Sequence, residues 1–229
     1  MNHNKFDKLN FEKGEILNIN KPEGWTSFDV VKKIRNILRI KKVGHAGTLD
    51  PFAIGVLLIC TGRATTKVAE LMGLEKEYIA TIELGKATDT YDRTGVIISE
   101  TTPQKFELCE LQRVCESFIG EIYQTPPMYS AVKIHGQRLY KMARRGKTVE
   151  REPRKVNINK IEIINYQHPL LTLKVVCSRG TYIRALADDI GRKLNCGGCL
   201  AALTRTRIGS YKIEDAYSIE SFEHLVKNR

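Results

Sequence analysis

The residues best placed to do chemistry fall in one short stretch, GHAGTLDPFAIG, spanning 44 to 55. Twelve positions hold three glycines, His45 and the pair Asp50-Pro51, and the apolar run VLLIC follows at once. Asp before Pro starts a turn or caps a helix, and Pro51 suits a first helical position, so local geometry alone accounts for Asp50. It does not account for His45, Gly44, Gly47 and Gly55 around it. Glycines this close allow tight backbone approach to a partner or an unusual loop path. Loops held between rigid elements often carry function. Asp50 is therefore a candidate for a presented carboxylate.

A second candidate is Arg184, which falls in the first turn of the helix expected after SRG at 178 to 180. A cation there opposes the helix dipole at a cost of about 0.3–1 kcal/mol. Two readings stand: an anion faces the helix start, or Arg184 is exposed and pairs with Asp188 at i+4. Tyr78 and Tyr182 lie at element ends, where each ring either stacks on a nucleobase or belongs to the core rim. Other groupings fail on spacing. Gly146-Lys147-Thr148 lacks the earlier glycine of a phosphate loop, because position 141 is lysine. Cys196-Gly-Gly-Cys199 is half of a zinc site without the other half. Asp89 and Asp92 lack the glycine and glutamate of a calcium loop, and Asp92 is expected to secure its own loop. No metal or cofactor is expected.

The elements that must hold these residues follow from periodicity. EILNIN at 15 to 20 reads as a strand, and KPEGW turns the chain. Thr26 and Asp29 have capping-box spacing ahead of a helix over 27 to 40. VLLIC is a buried strand, and 65 to 72 a short helix. Further strands are expected at 78 to 84, 96 to 99, 156 to 164, 170 to 177 and 201 to 208. YSAVKI at 129 to 134 is read as a strand, and 137 to 145 as a helix with a basic face. Helices are also expected at 108 to 118, 181 to 194 and 218 to 227. Strands and helices mix without regular alternation, which points to an α+β fold with a mixed, largely antiparallel central sheet. With no Pro-rich linker, one domain over 1–229 is expected.

The 229 residues carry a net charge of +11. From Lys133 to Lys155 nine basic residues face only Glu150 and Glu152, giving that segment +7. Clustering of this kind is the footprint of a polyanion-binding surface, with a solvated charged helix as the plain alternative. The longest apolar run, Ala53 to Cys60, is too short to span a bilayer, and the first residues hold no apolar signal segment. A cytoplasmic location is expected, with the six cysteines mostly as small buried hydrophobes.

Six stretches carry a resemblance. GHAGTLDPFAIGVLLICTGRATTKV is similar to the catalytic loop of the bacterial tRNA pseudouridine-55 synthases, and NKPEGWTSFDVV resembles that family's opening motif. KEYIATIELGKATDTYDRTG resembles its second motif, and PPMYSAVKIHGQRLYKMARRG its RNA-embracing insertion, here about 124–152. CSRGTYIRALADDIGRKL and LTRTRIG resemble the last two. The resemblance implies that a T-loop uridine of tRNA is flipped out and isomerised to pseudouridine without cofactor or metal. It places the essential carboxylate at Asp50, acting as nucleophile or as base. It implies that Tyr78 stacks on the flipped base and assists the final proton removal from C5, Arg184 pairs with Asp50, and His45 lies against the stack that the uridine leaves. Tyr182 would support the pair, Leu203 line the pocket and Lys21 hold the loops. Lys133, Arg138, Arg144 and Arg145 would grip phosphates. A monomer is expected. Many members continue into a small C-terminal RNA-binding domain, for which the sequence after LTRTRIG leaves no room; grip is expected to lean on the insertion. A silent RNA-binding or RNA-folding module on the same scaffold is the competing reading.

Overall fold

The computed structural model describes residues 9–134 and 136–228. Its strands are β1 (Ile16–Lys21), β2 (Val43–Ala46), β3 (Ile54–Thr61), β4 (Lys76–Leu84), β5 (Lys86–Thr88), β6 (Ile97–Glu100), β7 (Gly120–Gln124), β8 (Lys133–Ile134), β9 (Gln137–Arg138), β10 (Arg154–Gln167), β11 (Leu170–Cys177), β12 (Gly198–Ile208) and β13 (Tyr211–Lys212). Its α-helices are α1 (Ser27–Leu38), α2 (Val68–Gly73), α3 (Leu108–Glu116), α4 (Leu139–Ala143), α5 (Ile183–Lys193) and α6 (Ile219–Lys227). The class is α+β, with a mixed, largely antiparallel sheet and flanking helices. The chain divides into two compact units, 1–78 with 203–229, and 79–202.

The first unit is built on β3. β1 and β2 run antiparallel to it, pairing Lys21 with Gly55 and His45 with Ile59, and β12 runs parallel, pairing Arg205 with Gly55. Leu57 and Ile59 enter one core with Val30, Ile34, Ile219 and Phe222 from α1 and α6. Val56, Leu58 and Cys60 enter another with Ala46, Leu71 and Ile208. Both faces of β3 are therefore covered, which is why its sequence is an unbroken apolar run rather than an alternating one. α1 starts with the expected capping box: the Asp29 amide donates to Thr26 Oγ1 (3.1 Å), and the Thr26 amide to Asp29 Oδ2 (2.9 Å).

The second unit carries β11, β10 and β7 in antiparallel order, with Ile158 opposite Cys177 and Gln124 opposite Arg154. Leu111 and Cys115 of α3 and Leu186 and Ile190 of α5 are buried. Two expectations need correction here. YSAVKI is not a strand along its length; only Lys133–Ile134 pairs, with Gln137–Arg138, and the helix begins after that hairpin and ends at Ala143. The alternation in YSAVKI has no broad sheet to lie against, so two residues pair and the rest turns. β2, β5, β7 and β13 were not expected; each is short, β2 lies inside the glycine-rich loop, and β5 opens the stretch 86 to 95 that reads as a polar loop.

Candidate active site

In the first unit, the backbone around Asp50 is held almost residue by residue. The Ala53 amide donates to the Asp50 carbonyl (3.1 Å), so the Asp-Pro pair opens a β-turn and not a helix. Ser27, first residue of α1, accepts from the Leu49 amide (2.9 Å) and donates to the Leu49 carbonyl (3.2 Å). The Pro51 carbonyl takes the Gly24 amide (2.8 Å) and the Lys21 ammonium (3.1 Å). The same ammonium donates to the carbonyls of Pro22 (2.8 Å) and Trp25 (2.7 Å), stapling the KPEGW turn to the Asp-Pro turn. Arg205 reaches from β12 to the carbonyls of Val56 (2.7 Å), Thr48 (3.3 Å) and Gly47 (3.2 Å). The Asp50 residue itself is half-buried.

Electrostatics follow from this packing. Lys21 has no exposed surface, and its pKa falls to about 8. Burial is the main cause; the Asp50 charge opposes it and Arg205 adds to it. His45 sits on β2, half-buried, with its Nδ1 enclosed and without a hydrogen bond. Burial and then the Arg205 charge push its pKa down, the Gly47 backbone offsetting only part, so the ring is held neutral. A neutral ring suits packing against a base pair better than pairing with a phosphate. Tyr78 is buried as the third residue of β4, and Leu203 is buried in β12.

In the second unit, Arg184 is buried, which removes the reading of an exposed arginine paired with Asp188. Asp188 bonds Arg192 instead (2.7 Å). The Arg184 guanidinium donates to the carbonyls of Thr90 (3.1 Å) and Tyr129 (2.8 Å) and lies 3.3 Å from Asp92 Oδ2. Asp92 secures its loop as expected, through the Thr94 amide (2.9 Å), the Thr94 hydroxyl (2.6 Å) and the Thr90 hydroxyl (2.9 Å). An anion thus does face the start of α5. Tyr182 is the N-cap of α5, and its backbone is bound by the Gln124 side chain.

The insertion exposes Lys133, Arg138, Arg144 and Arg145. Lys133, Arg138, Lys141 and Arg145 line an open cavity of about 520 Å³ with Gly136 and Gln137. The Tyr140 ring lies 6.0 Å from the Arg138 guanidinium and 5.6 Å from that of Arg144, while Leu139 is fully buried. Four of the six cysteines, 60, 115, 177 and 199, are buried. Among the described residues, no group of three or more His, Cys, Asp or Glu is arranged to hold a metal, and no helix is long and apolar enough to cross a membrane.

Sequence reasoning missed Ser27, Arg205 and Gln124. A polar residue in TRTRIG reads as the outward half of an alternating strand, yet Arg205 is 1% exposed. One signal was available: Gly55, at φ +108°, lies against the Arg205 backbone, where an added Cβ would come within 2.3 Å of its carbonyl oxygen.

The sequence matches two family models. Residues 35–183 match the N-terminal domain of the TruB family pseudouridylate synthases. Residues 184–229 match the tRNA pseudouridylate synthase B C-terminal domain. The tRNA pseudouridine synthase B of Clostridium kluyveri is 50% identical over 205 residues, covering 90% of this chain and 71% of that protein. The protein of the same name from Phocaeicola vulgatus is 48% identical over 93% of this chain and 94% of its own length. Among solved structures, a chain of a Cbf5-Nop10-Gar1 complex superposes with a TM-score of 0.75 at 30% identity; 96% of this chain covers 57% of that one. Matched across both models and over most of the length of these relatives, the chain belongs to the TruB family of pseudouridylate synthases.

Proposed function

We propose that this protein converts uridine 55 in the T-loop of tRNA to pseudouridine, with Asp50 as the catalytic carboxylate. One observation carries the reading beyond family membership: every neighbour of Asp50 from Gly47 to Pro51 is fixed by Arg205, Ser27, Gly24 or Lys21. Such a lattice of bonds serves a side chain whose direction matters.

The reaction breaks the C1′–N1 bond, turns the uracil and joins C5 to C1′. The C5 hydrogen leaves as a proton and N1 gains one. Atoms and electrons balance within the nucleoside, so no oxidant or reductant is required. Asp50 acts on the ribose or the uracil, either as a nucleophile or as a base on a ribose proton. The target base is stacked in a folded loop and must be flipped out first. Tyr78 stacks on the flipped base, His45 packs against the stack it leaves, and Leu203 lines the pocket. Arg184, with Tyr182 beside it, is the cation assigned to keep the catalytic carboxylate ionised against burial. Lys133, Arg138, Arg144 and Arg145 hold phosphates, giving affinity without chemistry. The protein works as a monomer in the cytoplasm.

The test uses a T-arm stem-loop with tritium at C5 of its uridines. The expected result is stoichiometric release of tritium from one uridine and pseudouridine at that position. Binding of the stem-loop without tritium release would replace this reading with a silent RNA-binding module.

A further inference from the structure

The Gln124 side chain is 2% exposed and lies at the last position of β7, immediately before the insertion. Its amide makes two bonds to one residue. Oε1 accepts from the Tyr182 amide (2.9 Å), and Nε2 donates to the Tyr182 carbonyl (3.3 Å). A side chain here occupies a backbone partner by both its polar groups, as a neighbouring strand would. Tyr182 is the N-cap of α5, and its own side chain makes no capping bond, so Gln124 supplies a bond that the helix start lacks. Two residues on, Arg184 Nη2 reaches back to the Tyr129 carbonyl (2.8 Å). The returning limb of the insertion is clipped as well, by Arg151 Nη1 donating to the Pro126 carbonyl (3.2 Å). Three side chains therefore bind the root of the insertion, and two of them, Gln124 and Arg184, join it to the start of α5.

We infer that Gln124 is a positioning residue for the isomerisation: it fixes the backbone of Tyr182, and through it the turn that aims Tyr182 and Arg184, against the root of the RNA-binding insertion. A displacement of about 1 Å at such a turn is enough to lower turnover about 100-fold. The inference rests on the isomerase reading for its catalytic arm only. Its other arm needs no turnover.

The test compares wild type with Gln124→Met, which keeps the volume and removes both bonds, and Gln124→Glu, which keeps an acceptor for the Tyr182 amide. Amide hydrogen exchange of residues 182–186 is measured without RNA, and kcat and KM are measured on the T-arm stem-loop. In Gln124→Met these amides are expected to exchange at least about tenfold faster. Its kcat is expected to fall about tenfold or more with KM within about threefold of wild type, and Gln124→Glu to fall between the two. Unchanged exchange, or faster exchange with unchanged kcat, would overturn the inference. A purely structural role would instead lower the folded fraction and leave kcat per folded molecule intact. Should Gln124→Met not fold, Gln124→Glu is read by the same criteria. A wild type that binds the stem-loop and makes no pseudouridine would sink the isomerase reading, while the exchange arm would still decide whether Gln124 fixes the turn.

Discussion

An ammonium group with no exposed surface, wrapped by the carbonyls of Pro22, Trp25 and Pro51, costs folding free energy that most surface lysines do not. The sign is fixed by linkage. The unfolded chain keeps the Lys21 proton up to its ordinary 10.5, whereas the folded chain releases it at about 8. Below pH 8 the buried charge opposes folding; between pH 8 and 10.5 the unfolded state binds more protons and stability rises with pH. The Lys21 contribution is expected to grow by about 1.6 kcal/mol from about pH 8 to about pH 9.5, since one pKa unit is about 1.36 kcal/mol and the folded-state ammonium is still half protonated at the lower pH. Urea unfolding of wild type and Lys21→Met at both pH values measures it; parallel pH dependences for the two proteins would contradict it. At this scale the sequence was partly legible. Arg184 stood out because a cation opposes a helix start, and Asp50 and His45 because clustered glycines surround them. Arg205, Ser27 and Gln124 did not, because each acts on backbone groups 22 to 158 residues away along the chain. Nothing local announces such a bond.

The elements were read more completely than the side chains that join them. β1, β3 and the helices beginning at Ser27 and Ile183 follow from hydrophobic period, because each buries a face or, for β3, both. Short pieces escaped. β2 has four residues and β13 two, too few for a period to emerge. Gly55 of β3 pairs with Lys21 of β1 on one side and Arg205 of β12 on the other. Gly55→Ala is expected to destabilise the protein by about 3 kcal/mol, because a Cβ meets the Arg205 backbone while φ stays positive. Gly24→Ala is the control: its φ is +80°, but nothing lies within 4 Å of the added atom, so its cost is expected near about 1 kcal/mol. Denaturant midpoints of the two variants check this, and equal losses would show that strain and not packing sets the requirement at 55.

At the scale of the whole molecule, charge and chemistry reside in different segments. The segment from Lys133 to Lys155 carries +7 of the net +11, whereas the carboxylate assigned to catalysis sits in a loop clamped by backbone bonds and two buried cations. Affinity and turnover should therefore separate. Arg144→Glu combined with Arg145→Glu is expected to weaken stem-loop binding and flatten the log–log salt dependence by about 1.5 units, at roughly 0.7–0.9 for each phosphate no longer neutralised. The rate at saturating RNA should stay within about threefold. An unchanged salt slope would remove these arginines from the RNA surface. The measurement that bears most directly on the account is single-turnover tritium release from the C5-labelled stem-loop by wild type and Asp50→Asn, with binding measured on the same preparations. Asp50→Asn is expected to bind RNA within about threefold of wild type and to lose at least about 1,000-fold in rate, some 4 kcal/mol of transition-state stabilisation. An Asn variant that turns over within about tenfold of wild type would contradict the assignment of Asp50.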